Sequence, residues 1–210
     1  MSDGQKLRLA ELAGILAEAP GQRRLIALAG PPGSGKSTTA EKLCTMLARL
    51  GRSAAVLPMD GFHYDDAVLK ARDLLPRKGA PETFDVAGLE HILARLRDNS
   101  APEVAVPVFD RTIEVSRAGA RIIPSTVDLL IVEGNYLLLD RAPWQALKTH
   151  FDTTVRIDTP MDILEQRLVQ RWVSLGLPAE EVARKVGEND MLNCLIVTTE
   201  TGPADYIIAT

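Results

Sequence analysis

The feature that most constrains the fold is a glycine-rich loop between an apolar run and an amphipathic segment. The loop follows the pattern G-x-x-x-x-G-K-[ST] and reads Gly30, Pro31, Pro32, Gly33, Ser34, Gly35, Lys36, Ser37 and Thr38. Residues 25–28 before it are apolar, which predicts a buried strand. Residues 40–50 after it predict a helix with Leu43, Leu47 and Leu50 on one face. The sequence therefore predicts a strand, a tight loop and a helix in succession.

This order of elements predicts a cradle for phosphate. Glycines let successive backbone N–H groups point at one anion, and the positive end of the following helix faces the same place. Lys36 would reach the β- and γ-phosphates of a nucleotide, and Ser37 would offer its hydroxyl to Mg²⁺. The alternative, a glycine-rich turn with an incidental lysine, leaves the flanking strand and helix unexplained. We therefore expect the chain to bind ATP and Mg²⁺.

Length and composition limit the class of protein. The 210 residues suit one domain, 1–210, with residues 1–20 forming a helix packed on it. The net charge of -4 disfavours nucleic acid as the main partner. No apolar run approaches a membrane span, and residues 1–10 lack the apolar core of a signal peptide. Cys44 and Cys194 are far apart in sequence, which favours buried thiols in a reducing cytosol and a cytoplasmic location.

Alternating strand and helix patterns predict an α/β fold. We expect the three-layer α/β/α arrangement of P-loop proteins, with a mostly parallel sheet and a helical lid. Strands are predicted at 25–28, 54–58, 105–109, 120–123, 129–132, 153–157 and 204–208. The strands at 105–109 and 120–123 form a hairpin-like excursion, and the last strand lies at an edge of the sheet. Helices are predicted at 7–17, 40–50, 86–97, 161–172 and 180–186, and Pro20 with Gly21 ends the first.

Two carboxylates follow predicted strands. Glu133 comes after residues 129–132, and Asp60 comes after residues 54–58. In doubly wound sheets, ligands bind at the carboxyl ends of the strands. Glu133 could hold Mg²⁺ directly or through water, or it could be a surface carboxylate. Asp60 could accept the proton of an attacking hydroxyl or help to hold the metal, or it could be a turn residue before Gly61.

Two arginines lie one turn apart on the helix predicted at 161–172. Arg167 and Arg171 could close over the phosphates during transfer. Alternatively, they are solvated or paired with acids such as Glu165. The break at residues 176–178 predicts a lid turn between residues 173 and 181.

A histidine and several aromatic residues are candidates for the acceptor pocket. For His63, contact with the substrate is favoured over a role as general base. Phe84, Phe109 and Tyr136 could form a wall of the acceptor pocket, although such aromatics also occur in cores. Trp172 is assigned to packing.

These pieces, in this order, resemble the uridine kinase, phosphoribulokinase and pantothenate kinase group of P-loop kinases. Within that group, the chain looks most like bacterial fructose transport system kinases. The matching segments are 30–38, 59–63, 77–79, 81–82, 84–85, 107–111 and 131–138, followed by Arg167, Arg171, Asn189, Asp190 and Asn193. The resemblance implies that Asp60 is the base, that Glu133 assists Mg²⁺, and that the two arginines belong to the lid. The residues assigned to acceptor binding are Asp60, His63, Phe84, Arg111 and Tyr136.

One departure from the group concerns the acceptor. Uridine kinases typically have Tyr-Asp followed by a histidine where this chain has Phe109, Asp110 and Arg111, which disfavours uridine.

The predicted function is transfer of the γ-phosphoryl group of ATP to a hydroxyl of a small metabolite, a sugar by resemblance. Nucleoside and pantothenate kinases are the nearest alternatives. A nucleotide-sensing or ATP-hydrolysing protein without an acceptor is the alternative of another class. Relatives with this architecture are often dimers, so a homodimer without membrane insertion is compatible.

Overall fold

Strands and helices alternate along the chain. The computed structural model describes residues 4–19, 21 and 23–210. The strands are β1 (Gln5–Lys6), β2 (Arg24–Ala29), β3 (Ala54–Pro58), β4 (Glu103–Asp110), β5 (Val115–Pro124), β6 (Leu129–Gly134), β7 (Thr153–Asp158) and β8 (Tyr206–Ala209). The helices are α1 (Leu9–Glu18), α2 (Lys36–Arg49), α3 (Asp66–Ala71), α4 (Val86–Asp98), α5 (Met161–Ser174), α6 (Ala179–Lys185) and α7 (Met191–Glu200). A π-helical turn, Val186–Asp190, joins α6 to α7.

Six of these strands form a parallel sheet in the order β1-β8-β7-β2-β6-β3. β4 and β5 form a separate antiparallel hairpin. The expected three-layer fold with a mostly parallel sheet is therefore confirmed. The prediction that the last strand lies at an edge is wrong, because β1 pairs with the outer side of β8. Two polar residues, Gln5 and Lys6, form β1, so no apolar periodicity marks it.

Side chains of the buried strands alternate between two cores, one on each face of the sheet. Along β2, Leu25 and Ala27 face the core that contains α4 and the hairpin. Ile26 and Leu28 face the core formed with α1 and α2. The apolar runs that predicted strands are thus buried on both faces, as in other parallel sheets covered by helices.

The predicted segments agree with the observed elements, with differences at the ends. α2 begins at Lys36, four residues before the predicted start, because the glycine loop leads directly into the helix. Of the three leucines predicted on one face of this helix, Leu43 and Leu47 are buried, whereas Leu50 follows the last residue of α2 and is 53% exposed. α3 and α7 were not expected from periodicity. Pro20, the expected end of the first helix, lies outside the described residues.

A third, smaller core holds α5, α6 and α7 together beside the sheet. Its buried members are Leu164, Leu168, Val182, Val186 and Cys194. Burial raises the pKa of the Cys194 thiol to about 12, as expected for an inert buried cysteine. These three helices are called the lid helices below. Within the described residues, no helix has the length and apolar character that crossing a bilayer requires.

Candidate active site

The glycine loop joins β2 to α2 and presents the start of that helix to a cavity. Gly33 and Gly35 have φ values of +79° and +84°, a backbone conformation that residues with a Cβ rarely adopt. Gly35 caps α2, so the free N–H groups of the first helical turn lie at the loop. This is the arrangement in which a helix N-terminus binds phosphate.

Lys36, the first residue of α2, is buried in the loop. Its Nζ donates a hydrogen bond to the Pro31 carbonyl, 2.9 Å away. Burial lowers the pKa of Lys36, and the nearby charges of Glu133 and Asp60 partly offset that effect. A buried ammonium group at a phosphate-binding loop is a cation positioned for an anionic ligand.

Ser37 and Glu133 form the pair suited to a metal ion. β6 runs beside β2, so Glu133, near the end of β6, lies next to the loop. The Ser37 hydroxyl donates to Glu133 Oε1 at 3.1 Å. Burial raises the pKa of Glu133, and the negative charge of Asp60 adds to the increase.

The available oxygens fit Mg²⁺. Among the described residues, no group of three or more His, Cys, Asp or Glu could hold a metal by itself. One hydroxyl and one carboxylate do suit Mg²⁺, which binds proteins through few groups and takes its other ligands from phosphates and water.

Asp60 lies in a short helical turn, Met59–Phe62, directly after β3. Because β3 pairs with β6, with Pro58 opposite Glu133, the two carboxylates leave neighbouring strands at the same edge. Arg111 Nη2 donates to Asp60 Oδ2 at 2.6 Å. Burial would raise the pKa of Asp60, but the charges of His63, Arg111 and Lys36 together lower it below its usual value.

One cavity of about 490 Å³ brings most of the predicted site residues together. The predicted residues that line it are Pro32, Gly33, Gly35, Lys36, Ser37, Thr38, Asp60, His63, Phe84, Phe109, Arg111, Glu133 and Arg171. Gly30, Pro31 and Ser34 are buried and do not line it. The glycine loop, the Ser37–Glu133 pair and the candidate base Asp60 therefore line the same cavity.

The His63 ring lies against two phenylalanine rings of the cavity wall, tilted by 42° to one and 43° to the other. Its centroid lies 4.0 Å from that of Phe84 and 4.7 Å from that of Phe109. Its Nδ1 lies 2.8 Å from the backbone oxygen of Asp60. Burial lowers the pKa of His63, with Asp60 opposing the decrease. Gly61 allows the hairpin to approach, because a Cβ there would collide with the Pro107 carbonyl.

Tyr136 belongs to the core, which corrects the expectation that it lines the acceptor pocket. Its side chain is fully buried, and the ring lies 5.7 Å from Phe84 and 5.3 Å from Trp144. Its hydroxyl donates to the Gly79 carbonyl at 2.6 Å. Tyr136 therefore holds the backbone at Gly79 against the core through this hydrogen bond.

We predict that Tyr136→Phe lowers the free energy of unfolding by about 0.5–1.5 kcal/mol, since the Gly79 carbonyl loses its donor. Chemical denaturation measures this change. Tyr64→Phe is the matched control, because its ring packs against Arg72 and the core is untouched. A large change in the KM of the acceptor with unchanged stability would contradict the assignment.

The two lid arginines differ in position. Arg171 is half-buried and lines the cavity. Arg167 is exposed and lies outside the cavity lining, with Nη1 3.4 Å from the Gly33 carbonyl.

Trp172, expected to serve packing alone, also lines the cavity. Its Nε1 donates to Asp190 Oδ2 at 2.6 Å.

Sequence reasoning did not assign a site role to Arg77 or to the asparagines that hold it. Arg77 Nη1 donates to Asn189 Oδ1 at 2.8 Å, and Nη2 donates to Asn193 Oδ1 at 3.3 Å. Arg77, Asn189 and Asn193 all line the cavity. These three residues lie in segments that resemble the kinase group, and that resemblance was the sequence signal that could have assigned them to the site.

A parallel sheet with a strand, a glycine loop and a helix around a buried lysine defines a P-loop nucleotide-binding protein. The chain belongs to the Phosphoribulokinase / Uridine kinase family, whose model matches residues 25–189. Kinases of this family use ATP with Mg²⁺ and transfer phosphate to hydroxyl groups. The chain is accordingly an ATP-dependent kinase.

Three proteins illustrate the similarity. The uncharacterized Escherichia coli (strain K12) protein YggC is 35% identical over 203 residues, covering 94% of this chain and 82% of that protein. The putative uridine kinase C227.14 of Schizosaccharomyces pombe is 36% identical over 203 residues, covering 89% and 83%. The crystal structure of a putative fructose transport system kinase from Silicibacter sp. TM1040 has a TM-score of 0.90 and 40% identity, covering 96% and 98%.

Proposed function

We propose that this kinase phosphorylates a hydroxyl group of a sugar or sugar derivative, with Asp60 as the general base. The name of the Silicibacter structure, at 40% identity, supports a sugar as the acceptor. The observation that carries the proposal is the position of Asp60 in the same cavity as Lys36 and Ser37. A base there can reach an acceptor hydroxyl that faces the phosphates.

The two carboxylates of the site would have separate tasks. Asp60 has a lowered pKa, so it is ionised at neutral pH and can accept a proton. Glu133 contacts Ser37, so it would hold Mg²⁺ together with that hydroxyl. When bound, Mg²⁺ neutralises charge on the phosphates. This division leaves Asp60 free to act on the acceptor.

Cations of the loop and lid would stabilise the phosphates during transfer. Lys36 would contact them from the start of α2, and Arg171 would contact them from α5. Arg167, near the Gly33 carbonyl, would stabilise the closed position of α5 over the loop. The turn at residues 173–181 would allow the lid helices to move and exclude water.

Acceptor-dependent release of ADP tests the proposal. The purified protein is supplied with MgATP and a panel of sugars, sugar derivatives, nucleosides and pantothenate, one at a time. We expect one or more of the sugar compounds to give the highest kcat/KM. Equal ADP release with and without every acceptor would instead show an ATPase. A nucleoside or pantothenate as the best substrate would replace the sugar proposal and leave the kinase assignment intact.

A further inference from the structure

Arg171, which the proposed function places against the phosphates, is held in the lid by an aromatic ring. Within the part of the chain that the structure describes, its guanidinium forms no hydrogen bond and no ion pair. It lies over the indole ring of Trp172, with Cζ 5.3 Å from the ring centroid. The negative face of an indole attracts a guanidinium. The position of Trp172 therefore determines where Arg171 rests before a nucleotide binds.

One hydrogen bond orients that indole ring. Trp172 Nε1 donates to Asp190 Oδ2 at 2.6 Å. An indole has a single N–H group and no acceptor, so this bond uses its whole hydrogen-bonding capacity. Both side chains are half-buried and both line the cavity. Because hydrogen bonds to a carboxylate are stronger than those between neutral groups, this one can hold the ring in one orientation.

Asp190 is itself tied to a segment outside the lid helices. It is the last residue of the π-helical turn Val186–Asp190, and π-helical turns occur frequently at functional sites. The residue before it, Asn189, donates to the Lys78 carbonyl at 2.9 Å and accepts from Arg77 at 2.8 Å. A series of contacts thus runs from residues 77–78, through the turn and the indole ring, to Arg171.

A second cation lies over the same indole ring. Lys185, the last residue of α6, has its Nζ 4.7 Å from the ring centroid and also lines the cavity. Burial raises the pKa of Asp190, and the indole N–H, Arg171 and Lys185 oppose the increase, so the carboxylate lies within electrostatic range of both cations. Trp172 and Asp190 are therefore the centre of a cluster that joins α5, α6 and the π-helical turn.

We propose that Asp190 is a positioning residue for phosphoryl transfer: its hydrogen bond fixes the ring of Trp172, and the ring holds Arg171 in the cavity lining, ready for the phosphates. Asp190 acts through Trp172 and Arg171 rather than on the substrate. A cation placed in advance needs no reorganisation at the moment when charge develops on the phosphates. This inference rests on the proposed function, which assigns Arg171 to them.

Two substitutions of Asp190 separate its hydrogen bond from its charge. Asp190→Ala removes the acceptor and should lower kcat by about 10- to 100-fold, since misplacing a group by about 1 Å can cost about 10²-fold. Asp190→Asn keeps an oxygen that can accept the indole N–H, so it should retain most of the wild-type kcat. The KM of the acceptor should change in neither variant, because Arg171 is assigned to the phosphates.

Steady-state kinetics with the best acceptor measure these effects, and thermal denaturation checks that each variant is folded. Glu180→Gln is the matched control and should keep the wild-type kcat. Glu180 is an exposed carboxylate on α6 and does not line the cavity.

A double-mutant cycle tests whether Asp190 acts through the indole ring. Trp172→Phe keeps an aromatic ring and loses the N–H group, so it breaks the same bond as Asp190→Ala. The double variant should then be no more impaired than the more impaired single variant. Losses that multiply would show that the two residues act separately, which would overturn the proposal.

The fluorescence of Trp172 gives a readout that a purely structural role would not change. The chain has two tryptophans, and the other, Trp144, is buried in the core. MgATP should change the emission of the wild-type protein as Arg171 leaves the ring for the phosphates, and Trp172→Phe should lack this response. Asp190→Ala should still bind MgATP in a calorimetric titration but give a smaller change in emission. A wild-type response in Asp190→Ala would contradict the proposal.

Arg171→Met separates this inference from the proposed function. If Arg171→Met keeps the wild-type kcat, the assignment of Arg171 to the phosphates fails, and this inference fails with it. If Arg171→Met loses activity while Asp190→Ala keeps it, the role of Arg171 stands and only the positioning role of Asp190 is wrong. Equal losses in Asp190→Asn and Asp190→Ala would assign the effect to the charge of Asp190, which also overturns the route through Trp172.

Discussion

Asp60→Asn is expected to lower kcat by about 10²- to 10⁴-fold, the range that a positioned general base contributes. The amide keeps the shape of the side chain and cannot accept the hydroxyl proton. The affinity for MgATP should change far less, because Asp60 follows β3 whereas the phosphate loop follows β2. Steady-state kinetics with the best acceptor and calorimetric titration with MgATP measure the two effects separately.

A carboxylate from the neighbouring hairpin provides the control for this variant. Asp110 pairs with Arg117 at 3.2 Å and does not line the cavity, so Asp110→Asn should keep the wild-type kcat. Wild-type turnover by Asp60→Asn would rule out Asp60 as the base. A loss of MgATP binding that accounts for the whole defect would assign Asp60 to the nucleotide instead.

The parts of the site predicted best are those determined by local sequence. The glycine loop follows directly from its residue pattern, because positive φ values at Gly33 and Gly35 depend on the absence of a Cβ. Asp60 and Glu133 were expected near each other because adjacent parallel strands end at the same edge of a sheet. Their shared cavity is consistent with that reasoning.

The parts predicted least well depend on contacts between distant segments. Arg111 meets Asp60 across 51 positions, and Arg77 meets Asn189 across 112. Periodicity shows that a side chain leaves the core, but it does not show which loop folds over which strand end. Tyr136 illustrates the same limit, because an aromatic residue after a strand suits a pocket wall and a core equally well, and here it is buried.

The difference between Arg167 and Arg171 arises from helix geometry. Residues four apart lie on the same side of a helix but are offset along its axis by about 6 Å. Arg171 consequently lines the cavity while Arg167 lies against the outer side of the loop at Gly33. The sequence identified the face of α5 that carries both arginines, and packing of the lid helices decides which of them lines the cavity.

Lys36→Met is expected to lower kcat/KM for MgATP by about 10²- to 10³-fold, the effect of removing one preorganised electrostatic donor from a transition state. Methionine fills the space of the buried lysine stem, so the loop keeps its packing. Because methionine keeps the volume of the lysine stem, the variant should remain folded in a thermal denaturation assay.

The loss of the lysine also affects Glu133. In the wild type, burial raises the pKa of Glu133 and Lys36 counteracts part of that increase. Without the ammonium, the pKa of Glu133 rises further, so the remaining activity should fall at a higher pH than in the wild type as the solution is acidified. Lys42→Met is the matched control, because Lys42 lies on the same helix and is exposed. Full activity in Lys36→Met would show that the loop binds phosphate without this lysine, and equal losses in both variants would show that the defect is not specific to Lys36.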